Sequence, residues 1–260
     1  MNGGGKLFAL DAGSGCAKWI YDGGPSRSSL TYGEIEGRKV IVYTAGRGVV
    51  HVVDAKTGEK VWTAPGTPEK GEGSVRAAVV LYRDKIIVPI SASGVASGMN
   101  AKFECCTGHG AVVALSAKDG SRLWEYHTMP DAEYNGQVSP TGVKQKGPSG
   151  APIWTTPTID EKRNRVIVTT GENTSWPATN TSDAVIAIDL DTGKEEWVFQ
   201  AMESDVWNMA CRSSDADSGP NCPWHQDEKN IGRDFDFGGS AILARTKGGL
   251  DEIPIPGICK

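Results

Sequence analysis

One motif occurs four times along this chain of 260 residues, and it constrains the fold more than any other feature. The motif reads Ala/Val-x-Asp/Ser-x-x-x-Gly-x-x-x-Trp. A stretch rich in β-branched residues precedes each copy, as in Lys39–Tyr43 and Arg165–Thr169, and such stretches are typical of buried strands. The repetition indicates that the chain is built from equivalent structural units. The copies span residues 9–19, 52–62, 114–124 and 187–197.

Each copy is predicted to form a β-hairpin. The Asp or Ser supplies a side-chain acceptor for a tight turn, and the Gly supplies the positive φ that the turn needs. The Trp follows on the outgoing strand, where its ring can wedge between neighbouring sheets. Successive Trp residues lie 43, 62 and 73 positions apart. Because one four-stranded propeller blade takes about 40–50 residues, the later intervals are predicted to carry insertions.

The sequence therefore predicts a single all-β domain, a partial β-propeller. The first and last blades are incomplete, so we expect a piece of a larger ring that is inactive on its own, because an open ring leaves edge strands unpaired. Three irregular segments are predicted to be loops, where function usually resides: Ser91–Gly110, Met129–Gly150 and Cys211–Asp234. The repeats are placed at roughly 6–32, 33–65, 74–128, 151–200 and 234–244.

Composition and missing signals exclude several classes of protein. The chain has 27 Lys and Arg against 32 Asp and Glu, a net charge of −5, which argues against a nucleic-acid partner. No apolar run approaches the roughly 20 residues that span a bilayer, so the chain is predicted not to be transmembrane. The N-terminus lacks the pattern of a secretory leader, so any export signal is expected upstream. A Cys-x-x-Cys-His motif is also absent, so a haem would have to come from a partner or from a segment outside this sequence.

The repeat resembles the tryptophan-docking motif of quinoprotein alcohol dehydrogenases that depend on pyrroloquinoline quinone (PQQ). That resemblance implies about half of an eight-bladed ring. It also implies oxidation of secondary or polymeric alcohols with PQQ and calcium, electron transfer to cytochrome c, and a periplasmic or secreted location. Five segments follow one another as in the polyvinyl-alcohol dehydrogenase branch of the family: Cys105–Gly110, Gly147–Trp154, Thr170–Asn173, Asp205–Cys211 and Asp234–Gly238.

The resemblance implies an aromatic floor and a disulfide beside the flat cofactor. Trp154 stands where the stacking tryptophan is expected, although a core or docking tryptophan is an equal alternative. Cys105 and Cys106 would form the vicinal disulfide next to the cofactor, with paired thiols as the alternative in a reducing compartment. Trp207 is assigned to the same cofactor-binding group. A second bridge, between Cys211 and Cys222, could close a loop of about 11 residues.

The same resemblance suggests a calcium site. Asn173 matches the asparagine ligand of the family, Glu172 beside it is an alternative ligand, and either residue could simply end a strand. The glutamate ligand expected in the strand that ends at Ser91–Gly94 is missing from this chain. Unless Glu104 replaces it, the calcium site is expected to be short of carboxylates.

The segment around Trp207 bears on the identity of the catalytic base. Related alcohol dehydrogenases carry an aspartate after the tryptophan at position 207, but this chain has Asn208 there. An amide cannot accept a proton as a carboxylate does, so Asp205 becomes the alternative base.

A non-catalytic propeller scaffold of the outer-membrane assembly lipoprotein type is the alternative function. It would need neither the vicinal cysteines nor Trp154. One further residue has two interpretations, since His109 could line the cofactor funnel or lie in a solvated loop.

Overall fold

A computed structural model describes residues 2–3, 5–46, 48–70, 72–212, 217–225, 234–245, 251–252 and 258–259. Antiparallel sheets dominate it, so the predicted all-β class is confirmed. We refer to the four sheets that contain the repeats as blades 1 to 4, in chain order.

Blades 2, 3 and 4 each contain a four-stranded antiparallel meander, whereas blade 1 has three strands. Blade 1 contains β1 (Asn2–Gly3), β2 (Lys6–Leu10) and β3 (Ala17–Asp22). Blade 2 contains β4 (Thr31–Ile35), β5 (Arg38–Ala45), β6 (Val49–Asp54) and β7 (Lys60–Pro65). Blade 3 contains β8 (Gly73–Ser74), β9 (Val80–Tyr82), β10 (Lys85–Ala92), β11 (Ala111–Ser116) and β12 (Arg122–His127).

The elements that follow include blade 4 and the short strands near the cavity. They are β13 (Glu133–Val138), β14 (Lys144–Gly147), β15 (Ser149–Gly150), β16 (Thr158–Asp160), β17 (Arg165–Thr169), β18 (Asn173–Ser175), β19 (Ala184–Asp189), β20 (Glu195–Gln200), β21 (Asp236–Phe237), β22 (Ala244–Arg245), β23 (Asp251–Glu252) and β24 (Ile258–Cys259). Blade 4 is β16-β17-β19-β20, while β13 pairs with β14, β15 with β18, β21 with β24 and β22 with β23.

The repeated motif joins each blade to the next. The indole Nε1 of Trp62 donates to the carbonyl oxygen of Ala117 at 2.9 Å, and its ring covers Gly120 so closely that a Cβ there would fall 2.8 Å from Cε3. Trp19 and Trp124 make the same two contacts with the following copy, which shows that the motif is a docking device between sheets. The tryptophan of one blade thus lies on the turn of its neighbour, as predicted.

The turns of the motif have the expected chemistry. In the second copy the Asp54 carboxylate accepts from the backbone N–H groups of Lys56 and Thr57, both at 2.9 Å. Gly58 has a backbone φ of +76°, which residues with a Cβ rarely adopt. The short-range pattern of each copy therefore dictates its turn.

Strand residues alternate between two interfaces. Ile86, Val88 and Ile90 of β10 pack towards blade 2, whereas Ile87 packs towards blade 4. Because side chains alternate across a strand, a β-branched run such as β10 contributes to both interfaces, as expected for a strand with two buried faces. Burying each such side chain contributes about 1.5–3 kcal/mol, so the blade interfaces hold the described blades together.

The three long connections carry additional structure. The first contains a short helix, α1 (Gly94–Ser97), and the second contains the β13–β14 hairpin. The third was predicted to be a surface loop, which is wrong for Cys211, Cys222 and Trp224, because these three side chains are buried. A 3-10 turn at Pro223–His225 belongs to this buried part. Within the described ranges, no helix has the length and apolar character that would let it cross a membrane.

Candidate active site

A cavity of about 510 Å³ lies where the loops of blades 3 and 4 meet the segment around β21. Its wall combines three kinds of side chain. Two are basic (Arg27 and Arg76), three are acidic (Glu172, Asp234 and Asp236), and the apolar ones include Val95, Trp154, Trp207 and Met209. A mostly apolar wall with a few charged groups is typical of sites for small molecules and cofactors.

Trp154 is the most exposed aromatic side chain of this wall, at 37%. It lies in the extended segment between β15 and β16, where Ile153 N–H donates to the carbonyl of Ile90 at 3.1 Å and fixes the segment against blade 3. The Trp154 indole lies close enough to Asp236 to lower the pKa of that carboxyl, against the larger opposing effect of burial. Trp154 therefore presents part of its ring to the cavity instead of packing in a core or docking on a turn.

Glu172 and Asp236 form a buried carboxyl pair. Their side chains hydrogen-bond to each other, and the backbone N–H of Glu172 donates to Asp236 Oδ1 at 3.3 Å. Burial, followed by the neighbouring Asp236, raises the pKa of Glu172 well above its usual range, and burial also raises the pKa of Asp236. Gly171 permits this contact, since a Cβ at that position would overlap the Asp236 carboxylate.

Asp205 supports this acidic wall from behind. Its Oδ1 accepts from Asp234 N–H at 3.2 Å and its Oδ2 accepts from Phe235 N–H at 2.8 Å. Asp205 is only 2% exposed and does not line the cavity, whereas Asp234 does. Burial, followed by Asp236 and Asp205, raises the pKa of Asp234 to about 6.

Asp183 adds a further buried acid near this group. It is 3% exposed, and among the described residues neither carboxylate oxygen has a hydrogen-bond partner. Burial, followed by repulsion from Asp205 and Asp236, raises the pKa of Asp183 to about 9. The described structure therefore concentrates acidic groups here at an electrostatic cost.

Asn173 lies behind the wall of the cavity. It is fully buried, its Nδ2 donates to the Ser149 carbonyl at 3.1 Å, and its Oδ1 accepts from Thr179 N–H at 2.8 Å. Of the two ligands suggested by the sequence, Glu172 lines the cavity and Asn173 does not. Glu104 does not line it either, because its carboxylate pairs with Lys146 at 2.9 Å.

Asn208 and the vicinal cysteines form a buried group beside α1. Cys105 and Cys106 are joined by a disulfide and are at most 1% exposed. Asn208 Nδ2 lies 3.7 Å from both sulfur atoms. None of the three lines the cavity, whereas Val95 of α1 does. The second expected bridge, Cys211–Cys222, is also present.

Several functional candidates were missed from sequence. Asp234 and Asp236 were noted only as a family marker, and Arg27 and Arg76 were not noted at all. Both arginines and Trp154 also line a second cavity of about 600 Å³. The signal that could have identified the acids is the pair of aspartates two positions apart just before Gly238.

His109 belongs to a different place. It is 5% exposed, its Nε2 lies 2.8 Å from His127 Nδ1, and both rings line a separate cavity with Asp131. His109 is therefore neither in the cavity that holds Trp154 nor in a solvated loop.

The donor set suits a hard cation. Within the described residues, no three Asp, Glu, His or Cys side chains converge tightly enough to enclose a metal ion. The Glu172–Asp236 pair nevertheless supplies the oxygen ligands that calcium prefers, and a cation would relieve the repulsion between these buried acids. Among the described residues, the wall thus offers two carboxyl groups of the kind that calcium prefers, fewer than the three that would enclose an ion.

Comparisons with known proteins agree with the fold. The family model for the glucose/ethanol/alcohol dehydrogenase β-propeller domain matches residues 2–216. Polyvinylalcohol dehydrogenase of a Pseudomonas species is 30% identical over 256 residues, which cover 96% of this chain and 38% of that protein. Quinohemoprotein alcohol dehydrogenase of Comamonas testosteroni is 26% identical over 78% of this chain and 31% of that protein.

Solved structures give the same architecture. The quinohemoprotein alcohol dehydrogenase ADHIIG of Pseudomonas putida superimposes with a TM-score of 0.59 at 20% sequence identity, over 95% of this chain and 35% of that one. The chain spans about 38% of the length of the polyvinylalcohol dehydrogenases that it matches. With most of its length covered by the family model, the chain belongs to the glucose, ethanol and alcohol dehydrogenase β-propeller family.

Proposed function

We propose that this chain contributes to a PQQ- and calcium-dependent oxidation of alcohols to carbonyl compounds. One observation carries the proposal. A single cavity brings together the exposed Trp154 ring, Arg27 and Arg76, and the buried Glu172–Asp236 pair. A scaffold propeller has no use for buried like charges beside an exposed aromatic ring, so nothing in this cavity favours the scaffold alternative.

The organic cofactor fits the neutral and basic parts of the wall. PQQ is a flat quinone with three carboxylate groups. A ring such as Trp154 can stack on its plane, and guanidinium groups recognise carboxylates through paired hydrogen bonds. Arg76 is oriented by its Nε–H, which donates to Ser74 Oγ at 3.0 Å. We therefore assign cofactor binding to Trp154, Arg27 and Arg76.

Calcium fits the acidic part. Glu172 and Asp236 would hold the ion, which takes about six to eight oxygen ligands, and the cofactor and water would supply the others. When bound, PQQ would supply a two-electron acceptor for the oxidation of the alcohol, and calcium would supply a Lewis acid beside it.

The chain's own residues handle the proton and the substrate. Asp234 lines the cavity and is less enclosed than Glu172. We therefore propose that the Asp234 carboxylate accepts the hydroxyl proton of the alcohol. Asp205, the base suggested by the sequence, positions Asp234 through the two backbone hydrogen bonds described above. Val95, Trp207 and Met209 form an apolar wall, which suits the carbon chain of a secondary or polymeric alcohol.

The compartment and the electron acceptor are inferred from the disulfides and from the name of a relative. Two disulfides favour an oxidising location such as the periplasm. The name quinohemoprotein, carried by relatives such as the one from Comamonas testosteroni, supports a haem protein such as a cytochrome as the electron acceptor.

Titration of the chain with PQQ, with and without calcium, tests the proposal. Quenching of tryptophan fluorescence and the absorbance of the quinone report binding. We expect saturable, calcium-dependent binding that Trp154→Ala weakens at least tenfold. Glu172→Gln should remove the dependence on calcium because it deletes one carboxylate of the pair.

Two matched variants sharpen this test. Asp191→Asn removes an exposed acid that pairs with Lys85 on the outer turn, and it should bind like the parent chain. Asn173→Ala, which introduces no buried charge, should keep the calcium response in the folded chain, because Asn173 does not line the cavity. Calcium-independent binding, or no binding by the folded chain, would contradict the proposal and favour the scaffold alternative.

A further inference from the structure

Buried polar side chains lie behind the part of the cavity wall that contains Trp207 and Met209. Three amide side chains, which we call the amide ladder, run from the β14 strand towards the vicinal disulfide: Gln145, Asn221 and Asn208. None of the three is more than 2% exposed. Buried amides are costly unless their donors and acceptors are paired, so their partners identify what they hold in place.

Asn221 holds the segment that follows α1. Its Oδ1 accepts from Gln145 Nε2 at 3.1 Å. Its Nδ2 lies within hydrogen-bonding distance of three carbonyl oxygens of that segment, at 3.3, 2.7 and 3.2 Å, which belong to Gly98, Asn100 and Phe103. The segment joins α1 to the vicinal cysteines, so one side chain links the cavity wall to the disulfide behind it.

Asn208 holds the other side of the same wall. Its Nδ2 donates to the carbonyl oxygens of Asn221 at 2.9 Å and Thr174 at 3.1 Å, and its Oδ1 accepts from Ala210 N–H at 2.9 Å. A carboxylate here would place a buried negative charge against two carbonyl oxygens. This geometry requires a donor at position 208 and leaves no role for Asn208 as a base.

The Cys211–Cys222 disulfide joins the two backbone segments that carry these asparagines. Cys211 N–H donates to the Asn208 carbonyl at 2.9 Å, and Cys222 directly follows Asn221. Both cysteines are at most 3% exposed, and they pack with Trp224 and against Trp207. The bridge therefore fixes the distance between the two amides of the ladder.

We propose that Asn208 and Asn221 are positioning residues that order the apolar wall of the cavity and shield Cys105–Cys106, with Cys211–Cys222 as their tether. The importance of this order for alcohol oxidation rests on the proposed function. The order itself can be measured without any cofactor, so a failure here and a failure of cofactor binding are distinguishable.

Two variants weaken the ladder in different ways. Asn221→Asp keeps the acceptor for Gln145 and loses the three donations to carbonyl oxygens. The double variant Cys211→Ser/Cys222→Ser keeps both asparagines and loses the tether. Either one serves as the test if the other fails to fold.

Hydrogen exchange of residues 94–103 and the rate at which a water-soluble phosphine reduces Cys105–Cys106 are the two measurements, both made by mass spectrometry. Local opening governs both rates, and the loss of several buried hydrogen bonds makes opening easier. We expect both rates to rise at least tenfold in each folded variant, while exchange in β11 stays unchanged.

Gln200→Ala is the matched control. Gln200 is the last residue of β20, and its Nε2 also makes three short polar contacts, to Thr179 and Ser182, neither of which belongs to the ladder. Its loss should leave the exchange of residues 94–103 and the reduction of Cys105–Cys106 unchanged. If both ladder variants keep these rates within about twofold of the parent chain, or if Gln200→Ala raises them equally, the proposal is wrong.

Discussion

The turns of the repeated motif and the cavity lined by Trp154 differ in the kind of contact that they contain. At the outer turns, three successive tryptophans make the same contact, each donating to a carbonyl of the next copy and covering its glycine. At the cavity, Glu172 and Asp236 come from two segments that lie 64 residues apart in the chain. The turns repeat one stable interaction, and the cavity collects groups that repel one another.

This difference separates stability from function. Docked tryptophans bury apolar area and satisfy their indole N–H groups, so the turns favour the folded state. Buried carboxyl groups with raised pKa values cost free energy in the fold, and such costs cluster where a ligand compensates them. Removal of a docking tryptophan should therefore lower the free energy of unfolding, whereas removal of the charge of a buried acid should raise it.

The largest expected effect is at the turns. Trp124 is 8% exposed and docks on Gly193, so Trp124→Ala should lower the free energy of unfolding by about 3–5 kcal/mol through lost burial and a cavity. Trp154→Ala removes the same side chain from the cavity wall, where it is 37% exposed, and should cost much less stability. Urea denaturation of both variants measures the contrast, and equal losses would contradict it.

A smaller effect is expected at the glycine beneath the acidic pair. Gly171→Ala places a Cβ against the Asp236 carboxylate and Pro152, so the segment that carries Asp236 must move. We expect a loss of about 1–3 kcal/mol in stability, typical of overpacking, together with a weaker response to calcium. Gly13→Ala is the control, because a Cβ there would meet Asp11 Oδ1 at 3.5 Å, an ordinary contact. Unchanged calcium binding in Gly171→Ala would show that this contact is not needed.

The sequence was sufficient for the turns because each docking contact is encoded locally. The Asp or Ser, the Gly and the Trp of one copy lie within 11 residues, and the partner of each copy is another copy of the same pattern. Strand periodicity then predicted the sheets that connect them. The third long connection was misjudged because its polar composition hid the buried bridge between Cys211 and Cys222.

The cavity was only partly predictable, because sequence motifs specify which residues are near the site but not the direction in which they point. Glu172 and Asn173 are neighbours on one strand end, yet the first lines the cavity and the second faces Thr179. The contact between Glu172 and Asp236 depends on how two distant segments pack, which no spacing in the sequence reveals. Asn208 lies next to Trp207 of the wall, but its amide turns towards the carbonyl oxygen of Asn221.

The third substitution, at Asp183, is expected to change the free energy of unfolding least, and to raise it where the first two lower it. Asp183 has an ordinary pKa of 3.8 that rises to about 9 in the fold, so between these values the unfolded chain has released a proton that the folded chain keeps. The stability contributed by this group is therefore present at low pH and is lost as the pH rises towards 9. Asp183→Asn should remove this loss of stability with rising pH, because the amide does not ionise. Asn also tolerates the φ of +47° at this position. In calcium-free buffer at pH 8 we expect a gain of about 1–2 kcal/mol, below the full electrostatic cost because the site relaxes.

Asp191→Asn supplies the contrast for this prediction. The hydrogen bonds from Asn164 and Lys85 lower the pKa of Asp191, so its contribution to stability is present at neutral pH and is lost as the pH falls. Denaturation of both variants and the parent chain between pH 5 and 8 should therefore show a flatter decline with rising pH only for Asp183→Asn. If that variant is less stable than the parent at pH 8, or if its slope with pH matches the parent's, Asp183 does not carry the cost assigned to it. A gain in stability would show that the fold keeps the buried Asp183 carboxyl, close to Asp205 and Asp236, at a cost in free energy. The docking tryptophans, in contrast, are expected to stabilise the fold.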